Sequence, residues 1–227
     1  MTARFAISIF CLFIACSGAG GSAWSAPPSA LSGYEAVTGD SPDEDRSIWD
    51  SFYEHKSNVF GKEAVGFLKE NLHRVRKKGR AFVPAMGEGR NAVYLARHGF
   101  QVDGVDLSPI AVDRAVELAR SQHVSVKGIV ADLTTYAYPL QTYDFVFVSL
   151  FYMEQLIPKF KQVVKPGGHI MVYVKADTGK PAAGTTPDDF LVKSSTLKAA
   201  FKDFQTLSFK EYRDHGVDVI AILARRP

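Results

Sequence analysis

A short apolar run, Ala81-Phe-Val-Pro84, opens into Gly87-Glu-Gly-Arg-Asn91, and the helical pattern Asn91-Ala-Val-Tyr-Leu-Ala96 follows at once. A second apolar run then ends on an acid, Gly104-Val-Asp106. A strand that breaks into glycines and restarts as a helix lets backbone approach a ligand at a helix N-terminus, where unpaired N–H groups point outward. An acid at the end of the next strand suits the hydroxyls of a ribose. The stretch therefore reads as a nucleotide-cofactor site. It fits more than one cofactor, because Gly87-x-Gly89-x-x-Ala92 also matches the dinucleotide fingerprint.

The alternation continues downstream. Strand-like runs fall at 81–84, 101–106, 124–131, 143–149 and 169–175, with helical patterns at 88–98, 109–122 and 152–164 between them. Repeated strand-helix-strand order implies parallel strands joined by right-handed crossovers. Pro109 suits a first helical turn with Ser108 as its N-cap, and Lys165-Pro-Gly-Gly168 reads as a helix end turning into a strand. The C-terminal part differs: a short helix at 196–201 precedes strands at 204–212 and 217–224, separated by Arg213-Asp-His-Gly216. So short a connection makes that pair antiparallel. The expected fold is α/β: a Rossmann-like, doubly wound, mainly parallel seven-stranded sheet with a C-terminal antiparallel hairpin and helices on both faces.

With 227 residues, 46% of them hydrophobic and 22% charged, the chain has material for one catalytic domain. Its formal net charge of +3 is mild, and the basic cluster His73-Arg-Val-Arg-Lys-Lys-Gly-Arg80 contains no interleaved aromatics. It reads as cations at a helix end, and no nucleic-acid partner is expected. The N-terminus, Arg4 followed by an apolar run from Phe5 to Ala15 and small residues to Ala26, has the pattern of a signal peptide. That run is short of the roughly 20 apolar residues of a membrane span. The expected division is a signal peptide at 1–25, a flexible Pro- and Ser-rich linker at 26–46, and a catalytic domain at 47–227. Export is the expectation, with lipid anchoring at Cys16 a lesser one. A cytoplasmic form would need a misassigned start, for example a non-ATG start at Leu31 or Val37. Both cysteines, Cys11 and Cys16, lie in this leader, so a processed chain has no thiol chemistry of its own.

Several further pieces stand in order with the glycine loop: Trp49-Asp50 with Phe60-Gly61, Val105-Asp-Leu-Ser108, Ala131-Asp-Leu133, Tyr143-Asp144, Lys165-Pro-Gly-Gly168 and Ala224-Arg-Arg-Pro227. Together they make the chain resemble a class I S-adenosylmethionine (SAM)-dependent methyltransferase, most of all the TehB-like, tellurite-resistance group, from Trp49 onward. The resemblance implies SAM as cofactor. Gly87 and Gly89 would then pass under its methionine end, and Asp106 would accept from both ribose hydroxyls. Asp132 would accept from the adenine amine while Leu133 packs on the ring, although an N-cap role for Asp132 competes. Glu88 would suit the methionine ammonium and Arg90 its carboxylate, with a solvent-facing side chain as the alternative for each. Ala85, Asn91, Leu107 and Ser149 complete the implied cofactor set. Trp49, Tyr53 and Phe60 are candidates for an aromatic cover, with plain core packing as the alternative. One departure stands out: Val83 and Ala85 occupy places where the family usually has an acid and a glycine.

Methyl transfer is an in-line displacement that needs alignment in a dry site more than a protein nucleophile. Acceptor-side candidates are Phe151, Tyr152, Glu154, Tyr173 and Lys175, near carboxyl ends of strands. Glu154 and Tyr173 are the candidates for proton transfer. Ser149-Leu-Phe-Tyr152 lacks the paired prolines of amine-directed relatives, which argues against a planar amine acceptor. The six histidines show no ligand spacing and Asp188-Asp189 reads as a solvated loop, so no metal is expected. The expected acceptor is a small molecule, with a thiol or reduced chalcogen implied by resemblance alone. The rivals are an NAD(P)-binding oxidoreductase, using the same glycines, and an exported SAM-binding domain without catalysis. Oligomeric state is not legible.

Overall fold

The computed structural model describes residues 41–75, 78–179 and 191–227. The proposed leader, most of the proposed linker and Asp188-Asp189 lie outside these residues. Helix α1, Pro42–His55, begins inside the segment read as linker, which corrects that boundary. Ser41 caps it by accepting from the Glu44 N–H at 3.3 Å, Pro42 sits in the first turn, and Asp43, Glu44 and Asp45 complement the helix dipole. A Ser-Pro-acid composition serves a linker and a helix start equally well.

Helix α2, Gly66–Asn71, is followed by β1 (Arg80–Pro84), α3 (Arg90–Arg97), β2 (Gln101–Asp106), α4 (Pro109–Ser121), β3 (Val126–Val130) and β4 (Tyr143–Ser149). Then come α5 (Ile157–Val163), β5 (Val164–Lys175), α6 (Ser194–Ala200), β6 (Gln205–Asp214) and β7 (Val217–Arg225). The seven strands form one sheet in the order β3-β2-β1-β4-β5-β7-β6. The first five are parallel, and β7 runs antiparallel to both its neighbours. The turn between β6 and β7 places His215 at φ 47° and Gly216 at φ 84°, a type I′ hairpin.

Alternate residues of each central strand enter cores on opposite faces, which is why these strands read as unbroken apolar runs. Val83, Phe145, Met171 and Leu223 pack with α2, α3 and α4 on one face. Phe82, Val146, Ile170 and Ile222 pack with α5 and α6 on the other. Two local expectations shift. Pro158 sets the start of α5, so the helix read at 152–164 splits into a single 3-10 turn, Glu154–Leu156, and α5. Lys165-Pro-Gly-Gly168 lies within β5, where the pairing with β4 changes register.

Candidate active site

The strand order reverses beside β1, whose neighbours are β2 and β4, so the loops leaving β1 and β4 diverge to opposite faces and leave a crevice at the carboxyl ends. A cavity of about 1090 Å³ occupies it. One wall is α1 and the segment after it; the opposite wall is the glycine loop, Asp106, Asp132 and the chain following β4.

The glycine loop is built from left-handed residues: Ala85 at φ 47°, Gly87 at 56° and Gly89 at 82°. A Cβ at Gly89 would stand 2.5 Å from Ala115 Cβ, so the start of α3 packs directly on α4. A Cβ at Gly87 would stand 3.1 Å from the Tyr53 hydroxyl, so α1 lies over the loop. Ala85, where a glycine is usual, holds the left-handed conformation at a cost of about 1 kcal/mol. Val83 is 2% exposed within the core, and the usual acid's place is filled by apolar packing.

Asp106 is buried at the end of β2. Its Oδ2 accepts from the Gly87 N–H at 2.8 Å and its Oδ1 from the Ser108 N–H at 3.1 Å. Burial pushes its pKa up; the N–H groups of Ser108, Gly87 and Leu107 pull it back, and Asp50 on α1 adds repulsion. A carboxylate has about four acceptor positions, so lone pairs remain for two hydroxyl donors from the cavity. Ser108 also donates through its hydroxyl to Asp50, which ties α1 to the N-terminus of α4.

The polar side chains of the loop line the cavity and also bond to the protein itself. Both Glu88 oxygens accept backbone N–H bonds, from Asn58 at 3.0 Å and Val59 at 2.8 Å, and Arg114 stands 3.0 Å from Oε1. Glu88 thus holds the neighbouring segment while also lining the cavity. Arg90 donates to the Phe60 and Glu63 carbonyls, and burial pushes its pKa down. Asn91 accepts from the Val65 N–H at 3.0 Å and donates to the Ser149 hydroxyl at 3.2 Å. Asp132 accepts from both the N–H and the hydroxyl of Thr134, each at 2.7 Å, a turn-capping arrangement of the kind weighed against its adenine role. Leu133 and Leu107 line the cavity beside it.

After β4, Leu150 takes φ 55°, an uncommon conformation for a branched side chain, and carries Phe151, Tyr152, Met153 and Glu154 along the cavity. The Tyr152 hydroxyl is enclosed without a hydrogen-bond partner, and burial pushes its pKa up. Lys175 lines the same end, half-buried, with its pKa pushed down by burial. Glu154 is exposed at the rim. Tyr173 is corrected as a proton-transfer candidate: it donates to Asp214 at 2.8 Å away from the cavity lining, and burial raises its pKa far above the ordinary value.

Trp49, Phe52, Tyr53 and Phe60 form one aromatic cluster, with Trp49 and Tyr53 stacked at 6.0 Å and Phe52 and Phe60 tilted at 6.2 Å. Asp50, Phe52 and Arg114 were not singled out from sequence as site residues. Trp49-Asp50 signalled a motif there, but nothing in the sequence marked Arg114.

Residues 84–168 match the family model described as a methyltransferase domain. Hemagglutinin 1 of Eikenella corrodens is 25% identical over 132 residues, covering 55% of this chain and 43% of that protein. The chain thus spans less than half of this relative. Among solved structures, TehB from Haemophilus influenzae aligns with a TM-score of 0.64 at 18% identity, covering 79% of this chain and 67% of that one. Magnesium protoporphyrin IX methyltransferase from Synechocystis PCC 6803, solved with SAM, aligns at 0.62 and 14% identity, covering 85% and 100%. These likenesses establish the fold.

Proposed function

We propose, from the premise that this chain carries a class I SAM-dependent methyltransferase domain, that it transfers a methyl group to a small-molecule acceptor, with a soft nucleophile such as a thiol or reduced chalcogen preferred. The observation that carries the cofactor reading is the buried Asp106 carboxylate held against Gly87 at the mouth of the β1–β4 crevice. A vicinal diol supplies the donors that this carboxylate faces, and the backbone of 85–89 approaches what lies beside them. The residues present fit SAM in that place. When bound, SAM supplies a sulfonium methyl that an acceptor lone pair attacks in line, the C–S electron pair remaining on a neutral thioether sulfur.

The chain's share of the work is orientation and exclusion of water. Trp49, Phe52, Tyr53 and Phe60 close one side with aromatic faces, which attract a sulfonium. Phe151, Tyr152 and Met153 form the apolar part of the acceptor end, with Lys175 as its half-buried cation. The preference for a soft nucleophile is supported by the TehB-like motifs, and the small-molecule class by a cleft sized for a cofactor and a compact partner. Calorimetry with SAM, S-adenosylhomocysteine and NAD(H) tests the reading. Micromolar binding of the first two and none of the third is expected. Silence with both adenosyl ligands, or tight NAD(H) binding, overturns it, and SAM binding without turnover on a panel of thiols and hydrogen selenide overturns the soft-acceptor preference.

A further inference from the structure

Segment 56–65 is neither helix nor strand, yet every polar side chain of Gly87–Asn91 reaches it. Glu88 receives the Asn58 and Val59 N–H groups at 3.0 and 2.8 Å. Arg114 braces Glu88 at 3.0 Å and also donates to the Lys56 carbonyl at 2.7 Å. Arg90 holds the Phe60 and Glu63 carbonyls, and Asn91 holds the Val65 N–H at 3.0 Å. Asn58, Phe60, Gly61 and Ala64 of this segment line the cavity opposite the loop. The residues that flank the ligand-facing glycines thus fasten the wall that covers them.

We infer that Glu88, braced by Arg114, is a positioning residue that latches segment 56–65 over the bound cofactor and sets the rate at which the cofactor leaves. This rests on the proposed SAM site. Residue 88 stands between the two glycines whose backbone approaches the ligand, so ligand and latch share one loop. Coupling of this kind is reciprocal: a ligand that orders the loop tightens the latch, and loss of the latch weakens the ligand by the same factor. The bonds are charge-assisted and partly shielded, Glu88 being 16% and Arg114 31% exposed, which makes them stronger than surface pairs. Because the covering segment must detach before a ligand can leave, the effect falls on dissociation more than on association.

Stopped-flow and calorimetric measurement of S-adenosylhomocysteine on the full chain tests this. Glu88→Ala is expected to raise the dissociation rate constant and Kd by about tenfold, with association little changed. Arg114→Met, which leaves the glycine loop intact, is expected to shift both in the same direction by less, and it carries the test if Glu88→Ala does not fold. A merely structural role would lower the thermal midpoint and leave the kinetics of the folded protein unmoved. Wild-type release rates in the folded variants overturn the latch alone, whereas a wild-type protein that binds no S-adenosylhomocysteine overturns the cofactor reading beneath it.

Discussion

Asp106 is a carboxylate that the fold buries before any ligand arrives. Its pKa is raised, first by burial and finally by Asp50, so the folded chain holds the Asp106 proton more tightly than the unfolded chain does. The stability this group contributes is therefore fully present below the ordinary carboxylate range and is lost as pH rises through the raised value. Ligand binding runs the other way, because two hydroxyl donors need the ionised form. The affinity for S-adenosylhomocysteine should accordingly fall by about tenfold per pH unit below an inflection lying above the ordinary carboxylate range, while the fold persists. Asp106→Asn should abolish that inflection and bind weakly throughout. Since both oxygens already accept backbone N–H bonds, the amide would turn a donor toward Gly87 or Ser108, destabilising the fold by roughly 1–3 kcal/mol. Calorimetry across mildly acidic pH checks this, and a pH-independent affinity in the wild type would refute it.

At the scale of elements, the strands were legible because a two-sided core demands apolar residues at consecutive positions, and β4 and β7 fall where their apolar runs place them. The glycine loop and Asp106 were legible for a related reason: their constraint is local, a left-handed backbone and a strand end. The partners of Glu88 and Arg90 were not, because they lie as much as 30 residues upstream and are mostly backbone groups that carry no sequence signature. Lys165-Pro-Gly-Gly168 looked like a simple turn for the same reason. Its Lys165 pairs with the buried Asp144 of β4 at 2.8 Å, and Asp144 also accepts from the Arg80 N–H at 2.9 Å. This joins the first residues of β1, β4 and β5 at the end of the sheet away from the cavity. A cycle of Asp144→Ala and Lys165→Met should therefore show a coupling of roughly 1–3 kcal/mol in denaturant unfolding. Cofactor affinity should stay unchanged; additive single effects, or a shifted Kd, would show that the pair does something else.

On the scale of the whole molecule, each of its apolar clusters contains one deeply buried tyrosine: Tyr173 on the face of α3 and α4, Tyr143 on the face of α5, and Tyr53 in the aromatic cover. Burial is the first cause that raises all three above the ordinary value of 10.0, with Asp214, Asp103 and Asp106 respectively adding to it. Tyr212, on the hairpin, is pushed up to about 12 by burial, then by Asp214 and Glu70. Below the ordinary value these phenols are neutral in folded and unfolded chains alike, and the stability they contribute is intact. Above it the unfolded chain ionises first, so stability drains away as pH rises toward the folded values. With three such groups the loss is roughly 4 kcal/mol per pH unit, enough to exhaust a typical domain within two or three units. Since the groups are distributed over both faces and the cover, the sheet and the cover should come apart together. The tyrosinate absorbance of Tyr53, read as wild type minus Tyr53→Phe, and the circular dichroism should move in a single step in one alkaline titration, displaced to higher pH by S-adenosylhomocysteine, which binds only the folded form. A Tyr53 signal that rises near the ordinary value while the circular dichroism holds would mean that this hydroxyl reaches water in the native protein, and the closed cover described for the cofactor cleft would have to be given up.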